Sequence, residues 1–213
     1  KQTIDKLYFE IIGGIKTRKK GKVSDRFVSK FNKIKKVASE MIAEMKYREY
    51  NSAVVFDMLR MSKNARMILD KKELSAFYEL IIADWIKMIS PVCPHIAEEL
   101  WSKLGNKKLV SLEKWPKVDE KKIDEKFDKI DSTLEKTVGD VVNILGIVEG
   151  KGKKVEKVFI YVLPQEREFY SEKELSVRVG KEVKVYAVND KGKYDPENKS
   201  KKVKPGRPGI FVE

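Results

Sequence analysis

"SPVCPHIAEELW", Ser90 to Trp101, holds the only cysteine and the only histidine of the chain, two residues apart. Such a pair could ligate a metal or serve as nucleophile and base. A structural zinc takes four Cys or His ligands and a catalytic zinc about three protein ligands, so one of each falls short. Cys–His catalysis needs the base within reach of the sulfur and a third group to orient the ring. Positions i and i+2 beside a proline are poorly placed for that. Pro94 instead suits the first turn of a helix, where its missing N–H costs nothing. Glu98 and Glu99 then lie early in the helix, where the dipole favours acids. The stretch reads as a helix start, with Cys93 a small buried apolar residue and His95 packed or hydrogen-bonded locally. No catalytic residue and no metal ligand is assigned.

Charge is the stronger signal. The 213 residues carry 46 Lys and Arg against 33 Asp and Glu, a net charge of +13. That excess points to a polyanionic partner or an anionic surface. It is unevenly spread: residues 1–118 hold 25 basic and 14 acidic side chains, residues 119–213 hold 21 and 19. Within the second part, "KSKKVKPGR" has five positive charges and no negative one. Lys199, Lys201, Lys202, Lys204 and Arg207 crowd a segment that Pro205 and Pro208 are expected to keep extended. Gly206 and Gly209 would let its backbone approach a partner closely. "GKGKK", Gly150 to Lys154, lacks the Lys-Ser/Thr pair of a P-loop and reads as a basic turn.

The elements that must carry these residues are helical at first. "DRFVSKFNKIKKVASEMIAEM" sets Phe27, Phe31, Ile34, Val37, Met41 and Met45 on one stripe, with Lys30, Lys33 and Lys36 off it. A second helix covers about 50–69 through Val54, Val55, Met58, Ala65 and Ile68. The third, "ELSAFYELIIADWIKMI", has Leu74, Phe77, Tyr78, Ile81, Ile82, Trp85, Met88 and Ile89 in register. Ile96, Ala97, Leu100, Trp101 and Leu104 form another apolar face after the prolines. Short links between amphipathic helices imply an antiparallel bundle. After Pro116 one more helix is expected near 126–146. "VEKVFIYVL" and "EVKVYAV" then read as strands, "NDKG" as a turn and "GIFVE" as a last strand. The fold class is α+β: residues 1–23 a connecting segment, 24–118 a helical bundle, 119–213 a small α+β domain with a basic tail. No run approaches the roughly 20 apolar residues of a membrane span. The start lacks the regions of a signal peptide. With one cysteine there is no internal disulfide, and the cytosol is the expected compartment. The first residue is Lys rather than Met, as expected of a piece of a longer chain.

"RMSKN", Arg60 to Asn64, resembles the Lys-Met-Ser-Lys-Ser signature of class I aminoacyl-tRNA synthetases. It lies in a helical pattern without a His-Ile-Gly-His partner and is read as chance. "SPVCPHIAEELW" resembles the helix that closes the anticodon-binding bundle of class Ia synthetases. "SDRFVSKFNKI" is similar to the start of that bundle and "LEKWP" to its exit. These features are shared by the leucyl, isoleucyl, valyl and methionyl enzymes. "GKEVKVYAVNDKGKYDPENKSKKVKPGRPGIFVE" resembles the C-terminus of archaeal-type leucyl-tRNA synthetases.

The resemblance implies the tRNA-binding end of an ATP-dependent leucine–tRNA ligase, with tRNA(Leu) as partner alongside the enzyme's own catalytic and editing domains. ATP and Mg would belong to the catalytic domain, leaving this region without a cofactor. It further implies RNA contacts on Lys199, Lys201, Lys202, Lys204, Pro205, Gly206, Arg207, Pro208, Gly209 and Ile210, which would meet the long variable arm, and on Arg26, Lys30 and Lys33. The link between "FIYVL" and "GKEVKV" is shorter than the family pattern, so this stretch is expected to lack helices. Alternatives are the equivalent end of an isoleucyl or valyl enzyme, a free-standing RNA-binding accessory protein, and a module using its basic face on a membrane surface or a protein.

Overall fold

The computed structural model describes residues 2–213 and divides into two compact units, the first running through Asp124 and the second Glu125–Glu213. The first is all helical. It contains α1 (Gln2–Thr17), α2 (Asp25–Ala43), α3 (Tyr47–Asn51), α4 (Met58–Ile68), α5 (Lys71–Ile89) and α6 (Pro94–Lys103). A π-helical stretch, Ser52–Asp57, joins α3 to α4.

The core forms around α5. Asp70 caps it by accepting the Glu73 N–H at 2.8 Å, satisfying one of the orphan donors of a helix start. Phe77, Tyr78, Ile81, Ile82, Trp85, Ile86, Met88 and Ile89 are all buried. Trp85 brings a polar N–H into this core, and its Nε1 donates to the Val54 carbonyl at 2.8 Å. That acceptor lies in the π-helical stretch, where the Met58 N–H reaches back five residues to Ala53. A side chain donating to the helix ladder is a recognised companion of such a bulge.

The expected stripe on α2 is corrected in part. Phe27, Phe31, Ile34 and Ala38 are buried, whereas Val37 is exposed and Met45 lies beyond the helix with φ 57°. The 3.6-residue period carries the buried line to Ala38 rather than Val37. A second, polar line of α2 is also covered. Residues 115–124 run back along it: Trp115 Nε1 donates to Ser39 Oγ at 2.8 Å, and Lys35 Nζ donates to the Lys117 carbonyl at 2.8 Å. The Asp119 N–H meets Asn32 Oδ1 at 2.9 Å and the Asp124 N–H meets Ser29 Oγ at 2.9 Å. An irregular segment thus finds partners for its backbone on the side chains of one helix.

The stretch expected as a connecting segment contains α1, a full member of the bundle. Leu7 and Ile11 are buried, and Gly14 lies flat against α5. A Cβ at Gly14 would sit 2.5 Å from Ile82 Cδ1 and 2.6 Å from Tyr78 Cδ1.

The second unit is a three-stranded sheet with helices on one face. It runs α7 (Glu125–Glu149), β1 (Lys157–Val162), α8 (Glu172–Val179), β2 (Glu182–Ala187) and β3 (Gly209–Val212), in strand order β2-β1-β3. β1 and β2 are parallel, β1 and β3 antiparallel, with Phe159 opposite Phe211. The expectation that the link after β1 lacks helices is overturned. It holds a 3-10 segment, Pro164–Phe169, and then α8. Parallel strands require a crossover; α8 is short because Ser171 caps its start and Gly180, at φ 73°, ends it in the left-handed conformation. Leu134, Val141 and Leu145 of α7 pack with Val158, Ile160, Val162, Leu175, Val183 and Val185. Among the described residues no helix is long and apolar enough to cross a membrane.

Gly13 and Gly14 offer a matched test of the α1–α5 contact. Gly14→Ala should cost about 1–3 kcal/mol by overpacking, whereas Gly13→Ala, with nothing within 4 Å of its Cβ, should stabilise by up to about 1 kcal/mol through helix propensity. Denaturant unfolding of the two variants measures both.

Candidate nucleic-acid interface

The cations of this chain fall into two groups once their surroundings are known. On α2, Arg26, Lys30 and Lys33 are half-buried and each is engaged by another group of the chain. Lys35 is buried, 3.3 Å from Asp84 and 4.7 Å above the Phe31 ring. Lys36 pairs with Glu120 at 3.4 Å. Much of the positive charge of α2 is spent inside the chain.

The tail differs. Lys201, Lys202, Lys204 and Arg207 are exposed, and among the described residues none of the four makes an ion pair. Lys199 is half-buried and bonded to Glu197 at 3.0 Å. Nor is the segment extended, as its prolines suggest. Lys199–Lys202 is a 3-10 turn. Lys204 and Arg207 then close a tight turn through two backbone hydrogen bonds, at 3.1 and 2.8 Å. Pro205 holds the second position of this turn and Gly206, at φ 66°, the third, as in a type II turn.

Two carboxylates hold this shape. Asp195 accepts the Lys199 N–H through Oδ1 at 2.7 Å and the Ser200 N–H through Oδ2 at 3.0 Å. Burial pushes the Asp195 carboxyl up, but the hydrogen bonds from Ser200 and Lys199 outweigh it, and its pKa lies below the usual value. Glu166, from the 3-10 segment after β1, accepts the Gly206 N–H at 2.8 Å. Neither carboxylate stands out in the sequence as a support, because both act across loops.

The remaining tail residues are placed differently from the expectation. The close approach at Gly209 is intramolecular: a Cβ there would lie 2.6 Å from the Lys199 carbonyl oxygen. Ile210 packs on the core beneath the sheet, and Pro208 is half-buried. The structure therefore brings together Lys201, Lys202, Lys204, Pro205, Gly206 and Arg207 as one exposed group, with Lys199, Pro208, Gly209 and Ile210 as its base.

The other motifs resolve into structure. Pro94 opens α6, Cys93 at its N-cap is half-buried rather than fully buried, and burial pushes its thiol up. His95 is exposed. Glu98 accepts the Val110 N–H at 2.8 Å and the Ser111 N–H at 3.3 Å, tying the chain after α6 back onto it. "RMSKN" lies within α4, where Ser62 donates to Glu10. Glu10 also accepts from Tyr78 at 2.7 Å and pairs with Arg66 at 3.0 Å. Burial first, and Glu10 second, push Tyr78 up to about 12, so it stays a neutral donor. Among the described residues no three His, Cys, Asp or Glu side chains are grouped to hold a metal.

Residues 25–157 match the model of the anticodon-binding domain of tRNA ligase. The leucine–tRNA ligase of Staphylothermus marinus is 32% identical over 127 residues, 60% of this chain and 13% of that protein. That of Mycoplasma capricolum is 42% identical over 93 residues, 44% of this chain and 11% of its own. Leucine–tRNA ligase 2 of Sulfolobus acidocaldarius is 40% identical over 80 residues, 38% of this chain and 8% of its own. The chain thus spans about one eighth or less of these relatives.

Asp195→Asn should release the 3-10 turn while leaving the sheet intact. Faster amide exchange at Lys199 and Ser200, with β1 unchanged, is the expected readout. In the parent chain the same support, resting on a depressed carboxyl, is complete above the ordinary pKa of about 3.9 and lost as the pH falls through the lower folded value.

Proposed function

The chain belongs to the family of tRNA-ligase anticodon-binding domains, and from that premise we propose that it is the tRNA-docking part of a leucine–tRNA ligase. The observation that carries this reading is the exposed group Lys201, Lys202, Lys204 and Arg207, held in one shape by Asp195 and Glu166. Cations that make no ion pair among the described residues, on a backbone already ordered, meet phosphates without first breaking ion pairs or ordering a loop. The partner is tRNA(Leu), and its long variable arm meets the tail. Adenylation, with its ATP and Mg, and editing belong to other parts of the parent enzyme, and no residue here is assigned to them. The compartment is the cytoplasm.

Phosphate contacts supply affinity and carry no sequence information. Preference for one tRNA must come from shape or from unpaired bases. The half-buried, engaged cations of α2 contribute less to binding than the tail does. Arg26, Lys30 and Lys33 therefore add a background attraction, and the tail sets the selectivity.

Changing Lys201, Lys202, Lys204 and Arg207 together to Gln should flatten the salt dependence of tRNA binding. Each lost contact should remove about 0.7 to 0.9 units of slope in log K against log salt. Affinity for a tRNA with a long variable arm should fall more than for one differing only in a short arm. An unchanged slope removes the tail from the interface; equal losses on both tRNAs remove the variable arm from the proposal.

A further inference from the structure

The sheet of the second unit has one face covered by α7 and α8 and another built differently. Side chains alternate along a strand, so Val158, Ile160, Val183, Val185, Ile210 and Val212 pack toward the helices. Phe159, Tyr161, Tyr186 and Phe211 occupy the opposite face. Their rings stack across the strands. Phe159 lies 6.4 Å from Tyr186 at 12° and 6.0 Å from Phe211 at 28°, and Tyr161 lies 6.3 Å from Tyr186 at 19°. Tyr194, from the loop between β2 and β3, leans over them, 5.0 Å from Phe159 and 6.2 Å from Phe211. Phe159 and Tyr161 are buried beneath; Tyr186 and Phe211 are half-exposed, and Tyr194 is 45% exposed.

Beside Tyr194 and Phe159 opens a cleft of about 590 Å³, whose other walls are Lys154, Glu156, Lys157 and Glu213. Lys154 and Glu156 neutralise each other at 2.9 Å; Lys157 makes no ion pair among the described residues. The loop that carries Tyr194, residues 188–208, holds seven basic and three acidic side chains. Two of those acids are committed to backbone: Asp190 to the Gly192 N–H and Asp195 to the start of the 3-10 turn. Flat, partly exposed rings thus sit inside a strongly cationic loop.

We propose that this face is a stacking platform for unpaired RNA bases, with Tyr194 the ring first met and Tyr186 and Phe211 extending the ladder. Every base has a π-face to lay on an aromatic ring, and the phosphates on either side fall among the loop's lysines. Double-stranded RNA offers phosphates but no free base faces, and has no use for the rings. The cleft is large enough for one nucleoside at a time. The platform rests on the reading that the chain binds tRNA and deepens it by naming where unpaired bases go.

The test uses the whole chain and two probes: a short single-stranded RNA with 2-aminopurine at one position, and a blunt duplex of the same sequence. Stacking should quench the 2-aminopurine on binding. Tyr194→Leu should weaken single-strand binding by at least about five-fold and relieve the quenching, with duplex binding unchanged; Tyr194→Phe, which keeps the ring, should behave as the parent chain. Should Tyr194→Leu fail to fold, Tyr186→Leu is expected to show the same selective loss. Tight binding of the single strand without quenching, or an equal loss on single strand and duplex, overturns the platform and leaves the tRNA-docking reading standing. If neither probe nor whole tRNA binds the parent chain, both readings fall.

Discussion

The first unit depends on covering one helix. α5 buries nine residues over most of its circumference, more than the single stripe of a surface helix. It must therefore be packed from several sides, and α1, α2, α4 and α6 supply those sides. The same need explains the details. Trp85 and Tyr50 each carry a polar atom into the core, and each finds a carbonyl, Val54 for the indole and Met88 for the phenol. A buried donor left without an acceptor would cost about 1–3 kcal/mol. The π-helical stretch follows from the same demand, since it supplies the Val54 carbonyl.

Backbone satisfaction is the second constraint, and it shapes both units alike. Where the chain leaves regular structure, side chains complete the hydrogen bonds. Ser29, Asn32 and Lys35 do so for residues 117–124, Glu98 for the segment after α6, and Asp195 and Glu166 for the tail. The consequence for function is direct. Charge on α2 is drawn into holding the fold, while in the tail carboxylates hold the backbone and leave the lysines outward. A net charge says how many cations there are; the hydrogen-bond pattern says which of them can meet an RNA.

Apolar periodicity was legible from the residues alone. Phe77 to Ile89 on α5, the strands "KVFIYV" and "EVKVYA", and Pro94 at a helix start are each where local chemistry puts them. Part of the aromatic face was present in those strands too: Phe159 and Tyr161 are two residues apart on β1, a period-2 signal that reading for strands alone passes over, whereas Tyr186 joins them only through the pairing of β2 with β1. The family pattern in "SPVCPHIAEELW" was equally local. Other features were not legible. α1 carries two adjacent glycines that discourage a helix, and the surface that holds it, Ile82 and Tyr78, lies far along the chain.

What the sequence by itself determined is most of the elements, α1 and α8 excepted, the excess of basic charge and the family, because these depend on neighbours three or four residues apart or on short motifs. Only the tertiary structure decided which cations are free. Lys35 and Lys201 are the same residue type in similarly basic stretches. One is buried between Asp84 and the Lys117 carbonyl, and the other stands exposed on a turn that Asp195 has already fastened. The difference is made by groups 49 and 82 residues away from Lys35, and a charge acquires a partner only when folding brings that distant group within a few ångströms.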